Sequence, residues 1–362
     1  MKFTIVTGGK EARRDQAAAA LAETCIAHGD VLVSPAGGVD FALNLISAGA
    51  PRHFRRKAQS VFVFSIMEDD GAGPGFKSRC YTALVRSLSN LLLCVVPGPG
   101  GSAPEVYFTT PEAGFYHIPF DPEAVYRRLS PIAHAHFATE NLFSDDLPAR
   151  LREGSPVTRE IRMYGNELDA MGVLPVPFPL RDVLSADARR QLYKIYGITG
   201  ASYGNLSARE EVPECGSCTF WMTGRGVDKS NLLVVGKDFH LVKGFDSERG
   251  AALIARPPGA DERARVSVDA VEHELIYRTY PGVGAIVHAH AWMEGVPCTR
   301  QNYPCGTREL AAEVAALLGS LPDPARGAVG LKNHGLTITG GSLGEIFSRV
   351  RGKLLPEVAM FD

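Results

Sequence analysis

The sequence predicts an α/β protein in two parts: a parallel sheet covered by helices, then an α/β domain around a mainly antiparallel sheet. Three observations predict it. Strand-like and helix-like stretches alternate over the first ~125 residues, a polar, proline-rich stretch interrupts the chain near its middle, and short strands broken by turns dominate the second half. A length of 362 residues accommodates two domains.

The first part is read in chain order. Lys2 to Thr7 is a short β-rich run ending in Gly8-Gly9, and the Ala-rich stretch from Glu11 to about His28 has helical composition and length. Val31 to Val33 forms a strand ahead of Gly37-Gly38, and Val61 to Ser65 reads as a buried strand. A helix from about Tyr81 to Leu88 leads into a strand at Leu91 to Val96. Such alternation implies a Rossmann-like parallel sheet, expected to occupy residues 1–160. From about Asn141 to Asp169 the chain is rich in Asp, Glu, Arg, Ser and Pro, with no strong period. In Val173-Leu-Pro-Val-Pro-Phe-Pro179 the prolines forbid a helix and favour an extended connection. The boundary is placed near residue 160.

The second domain, residues 161–362, is expected to open with a helix from about Ala186 to Tyr196. Asp269 to Tyr277 and Arg308 to Leu318 read as helices, Gly284 to Ala289 as a strand, and Ala328 to Lys332 as a strand running into a turn. Apolar residues make up 45% of the chain and charged residues 22%, as in soluble globular proteins. A formal net charge of -2 gives no electrostatic reason to expect nucleic acid or a membrane surface as partner. The amino terminus turns polar too soon for an export signal, and the longest apolar runs fall far short of a membrane span. The seven cysteines are therefore expected as reduced thiols, and the cytoplasm as the location.

The chemistry concentrates late in the chain. In Val283-Gly-Ala-Ile-Val-His-Ala-His-Ala291, alternation along a strand puts His288 and His290 on one face, which suits a shared divalent cation. An isolated His-x-His is weak: His134-Ala-His136 has the same spacing and reads as exposed or packing histidines. The second pair has a richer setting. Gly330-Leu-Lys-Asn-His334-Gly335 supplies a further histidine at an apparent strand end, and upstream Asp269, His273 and Tyr277 fall on one helical stripe. Three neutral histidines leave a coordination position open, as catalytic sites do. The plainer reading of Asp269 is a helix N-cap.

With these pieces, the sequence from about Leu184 to the carboxyl terminus resembles the class II aldolase/adducin family. The resemblance rests on Ser202-Tyr-Gly-Asn-Leu-Ser207, Met222-Thr-Gly-Arg225, the Asp269 helix, His288-Ala-His290 and Asn333-His334-Gly335, in that order. It implies a class II aldolase-like fold for the second domain and His288, His290 and His334 as ligands of Zn²⁺ or another divalent metal such as Mn²⁺. It further implies Asp269 as acid/base, and Gly204, Asn205, Thr223, Gly224 and Ser267 as substrate-binding residues. Where the aldolases carry Glu, this chain has Asp269, one methylene shorter, so Glu272 stands as the alternative acid/base. Where the family often has a second serine, this chain has Val268, which weakens the case for a phosphorylated substrate. The family also implies a homotetramer whose neighbouring subunit completes the site; by position alone, the run Leu355 to Asp362 could supply such a residue.

Other motifs read more plainly. Cys215-Gly-Ser-Cys218 with Cys298 and Cys305 could in principle be a four-thiolate zinc site, but loop thiols without a metal account for them better. Tyr303-Pro-Cys305-Gly-Thr also resembles a motif common beside the active site in part of the family. Gly8-Gly9-Lys10, Gly37-Gly38 and Gly98-Pro-Gly-Gly101 complete no phosphate-binding fingerprint and read as tight turns. The basic clusters Arg13-Arg14 and Arg55-Arg56-Lys57 read as solvated faces. The expected function is a metal-dependent lyase acting beside a carbonyl through a metal-bound enediolate, an aldolase on a small sugar or sugar-phosphate-like substrate. Decarboxylation, epimerisation or dehydration through the same chemistry is the alternative, and a non-catalytic adducin-like interaction module the third.

Overall fold

The structure is a computed structural model in which all residues are described except 36, 58, 59, 113, 175–185, 188 and 191–201. The connection beyond Leu174 and most of the helix expected from Ala186 to Tyr196 lie outside the described residues. Two compact units are present. One is built on Met1–His134, and the other runs from Ala135 to Ala359; the described residues between 186 and 190 and Met360–Asp362 go with the first.

The first unit holds a seven-stranded sheet of β1 (Lys2–Val6), β2 (Val31–Leu32), β3 (Phe41–Leu45), β4 (Phe62–Glu68), β5 (Leu91–Val96), β6 (Glu105–Thr109) and β7 (Phe115–Pro119). Their order is β2-β1-β3-β4-β5-β6-β7. Strands β1 to β5 pair in parallel, while β5, β6 and β7 form an antiparallel meander. The helices are α1 (Ala12–Ala27), α2 (Phe76–Ser87) and α3 (Pro122–Ala133). Every residue of β3 and β5 is buried, as strands covered on both faces require. The Gly8-Gly9 turn is filled from within: the buried Arg14 guanidinium donates to the carbonyls of Gly8, Gly9 and Ile46. That satisfies backbone acceptors that helix and sheet leave over.

The second unit holds eight strands: β8 (Glu140–Ser144), β9 (Asn205–Arg209), β10 (Phe220–Thr223), β11 (Phe239–Asp246), β12 (Ala251–Ala255), β13 (Ala285–Ala289), β14 (Ala328–Leu331) and β15 (Gly335–Gly340). They are ordered β14-β15-β13-β9-β10-β11-β12-β8, all antiparallel except the β12–β8 edge pair. Helices α4 (Pro156–Ala170), α5 (Ala270–Thr279), α6 (Arg308–Gly319) and α7 (Leu343–Val350) cover it. Alternation along the strands divides two cores. Leu206, Trp221, Val287 and Ile338 pack with Ile161, Leu168, Ile346 and Phe347 of α4 and α7. Met222, Val242 and Ile286 pack with Ile276, Leu310 and Val314 of α5 and α6.

The stretch read as featureless from Asn141 to Asp169 contains β8 and α4, so the chain from Ala135 to residue 160 packs with the second unit. An apolar count misses α4 because its buried stripe is Thr158, Ile161, Gly165 and Leu168, half of it small or polar. Its start is written locally instead: Ser155 caps the Val157 and Thr158 amides, Thr158 returns a bond to the Ser155 amide, and Pro156 follows the cap.

Candidate metal centre

Backbone pairing places the three histidines. On β13, His288 lies between its antiparallel partners Asn205 of β9 and Thr337 of β15. His290 stands just past the end of that strand. His334 closes the tight turn between β14 and β15, where its amide donates to the Leu331 carbonyl at 3.0 Å. Each letter of Asn333-His334-Gly335 has a cause. Asn333 takes the left-handed conformation the turn needs, at φ 57°, which asparagine tolerates better than most residues. A side chain on Gly335 would stand 2.3 Å from the Ala289 carbonyl oxygen, so only glycine lets the turn reach the end of β13.

The result is a cage. Ligand-type atoms of His288, His290 and His334 all lie within 4.8 Å of one another, and the Nε2 atoms of His290 and His334 are 3.2 Å apart. Donors about 2.0–2.3 Å from a tetrahedral cation stand about 3.3–3.8 Å apart, so these separations fit a shared ion. His288 Nδ1 donates to the Leu336 carbonyl at 3.0 Å, which fixes the tautomer that leaves Nε2 bare. That Nε2 is buried and has no protein partner. Burial pushes the His288 pKa down, and His334 lower still, with His288 adding to the effect there. Both rings are therefore neutral, as metal ligation requires. The donor set and the bare buried nitrogen fit a divalent cation.

Helix α5 lies over this row. Asp269 occupies the N-cap position, yet its side chain caps no helix amide. Its Oδ2 instead accepts a 2.7 Å bond from Asn205 Nδ2. Four and eight residues on, His273 Nδ1 and Tyr277 Oη bond Ser207 Oγ at 2.7 and 2.8 Å. The stripe expected from the sequence thus docks on alternate residues of β9. On the other side of His288, Thr337 Oγ1 donates to Glu272 Oε1 at 2.6 Å. Burial, reinforced by Asp269, pushes the Glu272 pKa up to about 8. Two carboxyl groups from the first turn of α5 are therefore anchored to the two strand neighbours of His288.

The remaining expected residues fall in one neighbourhood. Thr223 Oγ1 accepts from the Leu206 amide at 3.3 Å, its carbonyl accepts from the Ser267 amide at 3.2 Å, and Gly224 bridges Val266. Gly204, at φ 77°, brings the chain so near β13 that a side chain would stand 2.5 Å from the His288 carbonyl oxygen.

Two residues escape the sequence reading. Cys305 Sγ lies 3.3 Å from His334 Nε2, and its sulfur, the Asp269 carboxylate and a His288 nitrogen also lie within 4.8 Å of one another. The signal was present in the Tyr303-Pro-Cys305-Gly-Thr motif. Lys229 is buried, donates from Nζ to the Ser202 carbonyl at 3.0 Å, and has its pKa pushed down to about 8 by burial against the opposing pull of Asp269. Nothing in its local sequence marks it. Elsewhere, His134 Nδ1 bonds the Ser130 carbonyl, and His136 pairs with Glu309. All seven cysteines are free thiols. Leu355, in the terminal run, pairs through its backbone with Trp292.

Known proteins share parts of this chain. Residues 184–293 match the family described as Class II Aldolase and Adducin N-terminal domain. That match lies within the C-terminal half and includes Asp269, His288 and His290. A stretch of 95 residues is 33% identical to methylthioribulose-1-phosphate dehydratase of Sodalis glossinidius (strain morsitans), covering 26% of this chain and 38% of that protein. The match thus spans well under half the length of that curated relative. Among solved structures, L-fuculose 1-phosphate aldolase is similar over 55% of this chain and 81% of its own, at 19% identity and a TM-score of 0.37. An aldolase II superfamily protein from Pseudomonas syringae is similar over 48% and 75%, at 19% identity and a TM-score of 0.30. Enzymes of the class II aldolase superfamily are metal-dependent lyases acting on small molecules. Among the described residues, no helix is long and apolar enough to cross a membrane.

Proposed function

We propose that the chain is a divalent-metal lyase that breaks or makes a C–C bond beside a carbonyl in a small polyhydroxylated substrate, with His288, His290 and His334 holding the cation. One observation carries this reading: the buried, partnerless Nε2 of His288 faces into a three-histidine cage beside a carboxylate that its own helix does not use. A bound Zn²⁺ or similar ion supplies Lewis acidity to a carbonyl oxygen. Asp269 is the proton carrier, taking the proton from a substrate hydroxyl as the C–C bond breaks and returning it to carbon afterwards. Asn205 holds that carboxylate in place through its 2.7 Å bond, which offsets the shorter reach of Asp. Glu272, already engaged by Thr337 and favoured in its protonated form, serves as the anchored neighbour. Gly204, Asn205, Thr223, Gly224 and Ser267 bind the anionic end of the substrate, partly through backbone amides at their turns.

A second reading, dehydration, is favoured by the 33% identity to a protein named as a dehydratase. It uses the same residues: Asp269 removes the proton beside the carbonyl and passes it to the hydroxyl on the next carbon, which leaves as water. We place the chain in the cytoplasm as a homotetramer, with the unit built on Met1–His134 as a scaffold or assembly unit. The test is a screen of purified full-length protein for aldol cleavage and for dehydration over sugar phosphates and hydroxy acids. Cleavage products support the first reading and loss of water the second. Activity undiminished in His288→Ala would refute both.

A further inference from the structure

The loop before α6 brings a thiol to the cage, and that thiol has no part in the lyase chemistry assigned to Asp269 and the three histidines. Cys305 sits two residues ahead of Thr307, which caps α6 by accepting from the Leu310 amide, so the loop is tied at its far end. Its sulfur is 3.3 Å from His334 Nε2, close to the 3.2 Å that separates the two histidine nitrogens themselves. The same sulfur lies within 4.8 Å of a His288 ring nitrogen and of the Asp269 carboxylate. His288, whose Nε2 is buried and without a protein partner, belongs to both groups of metal-type donors, the three histidines and the Asp269–His288–Cys305 set. Two donor sets sharing His288 describe a single centre with more donors than the histidines alone.

We propose that Cys305 is a fourth donor to this cation, so that the resting centre is a three-histidine, one-thiolate site. The inference rests on the proposed metal centre and deepens it. On metal uptake the Cys305 S–H bond breaks, its proton passes to solvent, and the sulfur's electron pair forms the bond to the cation. The chemistry of sulfur has two consequences here. A thiolate selects borderline and soft ions such as Zn²⁺ or Co²⁺ over Mg²⁺ and Mn²⁺, which prefer oxygen donors. With four protein donors the site would be closed, so a substrate oxygen would have to displace the thiolate or expand the coordination.

Cobalt is the probe, because a thiolate bound to Co²⁺ gives a near-ultraviolet charge-transfer band that nitrogen donors do not. Metal-free, reduced, full-length protein is titrated with Co²⁺ without oxygen. The expected result is a near-ultraviolet band saturating with the visible ligand-field bands at one equivalent. In Cys305→Ser the visible bands remain, the near-ultraviolet band is gone, and Co²⁺ affinity falls at least about tenfold, in line with losses of groups around metal sites. Visible bands without the near-ultraviolet band in the wild type overturn the Cys305 assignment and leave the three-histidine centre standing. So does a near-ultraviolet band that persists in Cys305→Ser. No cobalt spectrum at all sinks both readings. A second measurement needs no variant: Zn²⁺ should slow alkylation of Cys305, read by peptide mass, relative to Cys215, and equal rates with and without Zn²⁺ contradict the proposal.

Discussion

Asn205 and Asp269 meet across 64 positions of sequence through a 2.7 Å bond from the amide nitrogen of one to the carboxylate of the other. That bond draws the Asp269 side chain away from the helix it begins and toward His288, the strand neighbour of Asn205. An aspartate at an N-cap stabilises its helix by about 1 kcal/mol when it caps, so forgoing the cap is a cost that function explains.

Asp269→Asn is therefore expected to lower turnover by about 10²- to 10⁴-fold while leaving one metal equivalent per chain, because it removes a proton carrier and spares the histidines. Steady-state rates and elemental analysis of one preparation check it. Loss of metal in parallel with activity would instead make Asp269 a structural ligand.

Each of His288→Ala, His290→Ala and His334→Ala should leave the chain substoichiometric in metal. Chelator treatment of the wild type should abolish activity, and Zn²⁺ should restore it. Restoration by Zn²⁺ in a variant lacking one of the three imidazoles would remove that residue from the cage.

Gly335→Ala tests how the third ligand is delivered. A methyl group 2.3 Å from the Ala289 carbonyl oxygen must push the turn off the end of β13. Overpacking of this kind costs about 1–3 kcal/mol, and here it should also weaken metal binding, since His334 and His290 flank the contact. Denaturant melts and metal titration should both shift.

Glu272 ties stability to pH. Its folded-state pKa is raised to about 8 from an ordinary 4.5, so between those values the folded chain holds a proton that the unfolded chain has released. Its stabilising contribution is full below about 4.5 and is lost as pH rises through 8. In metal-free protein the buried, neutral His288 and His334 and the buried Lys229 pull the other way, so the effect is read as a difference: wild-type urea midpoints should fall from pH 5 to pH 8.5 relative to those of Glu272→Gln, which keeps an acceptor for Thr337. Equal slopes in the two proteins would count against it.

The reach of the sequence depends on the kind of contact that holds each residue. The histidine cage was legible because strand alternation and a tight turn are local rules, and both were written in short motifs. The α5 stripe was legible for the same reason: Asp269, His273 and Tyr277 recur at helical spacing, although their partners Asn205 and Ser207 could only be seen in the fold. Lys229 reaches the site through tertiary packing that no spacing encodes, whereas Cys305 lies in a motif that placed it only beside the site, not among its donors. Helix α4 escaped because Thr158 and Gly165 stand where an apolar period expects larger residues. In the first unit the parallel core was foreseen, but β3, β6, β7 and α3 were not, and the antiparallel meander closes a sheet expected to be parallel throughout.

The cage histidines hang from β13 and from the hairpin of β14 and β15, neighbours bonded to each other along their backbones. Asp269 and Cys305 arrive separately, one at a helix start and one in a loop. A change in that helix start can redirect the chemistry without loosening the cation's cradle. Descendants of such a chain can therefore diverge in reaction while inheriting one unchanged mineral anchor.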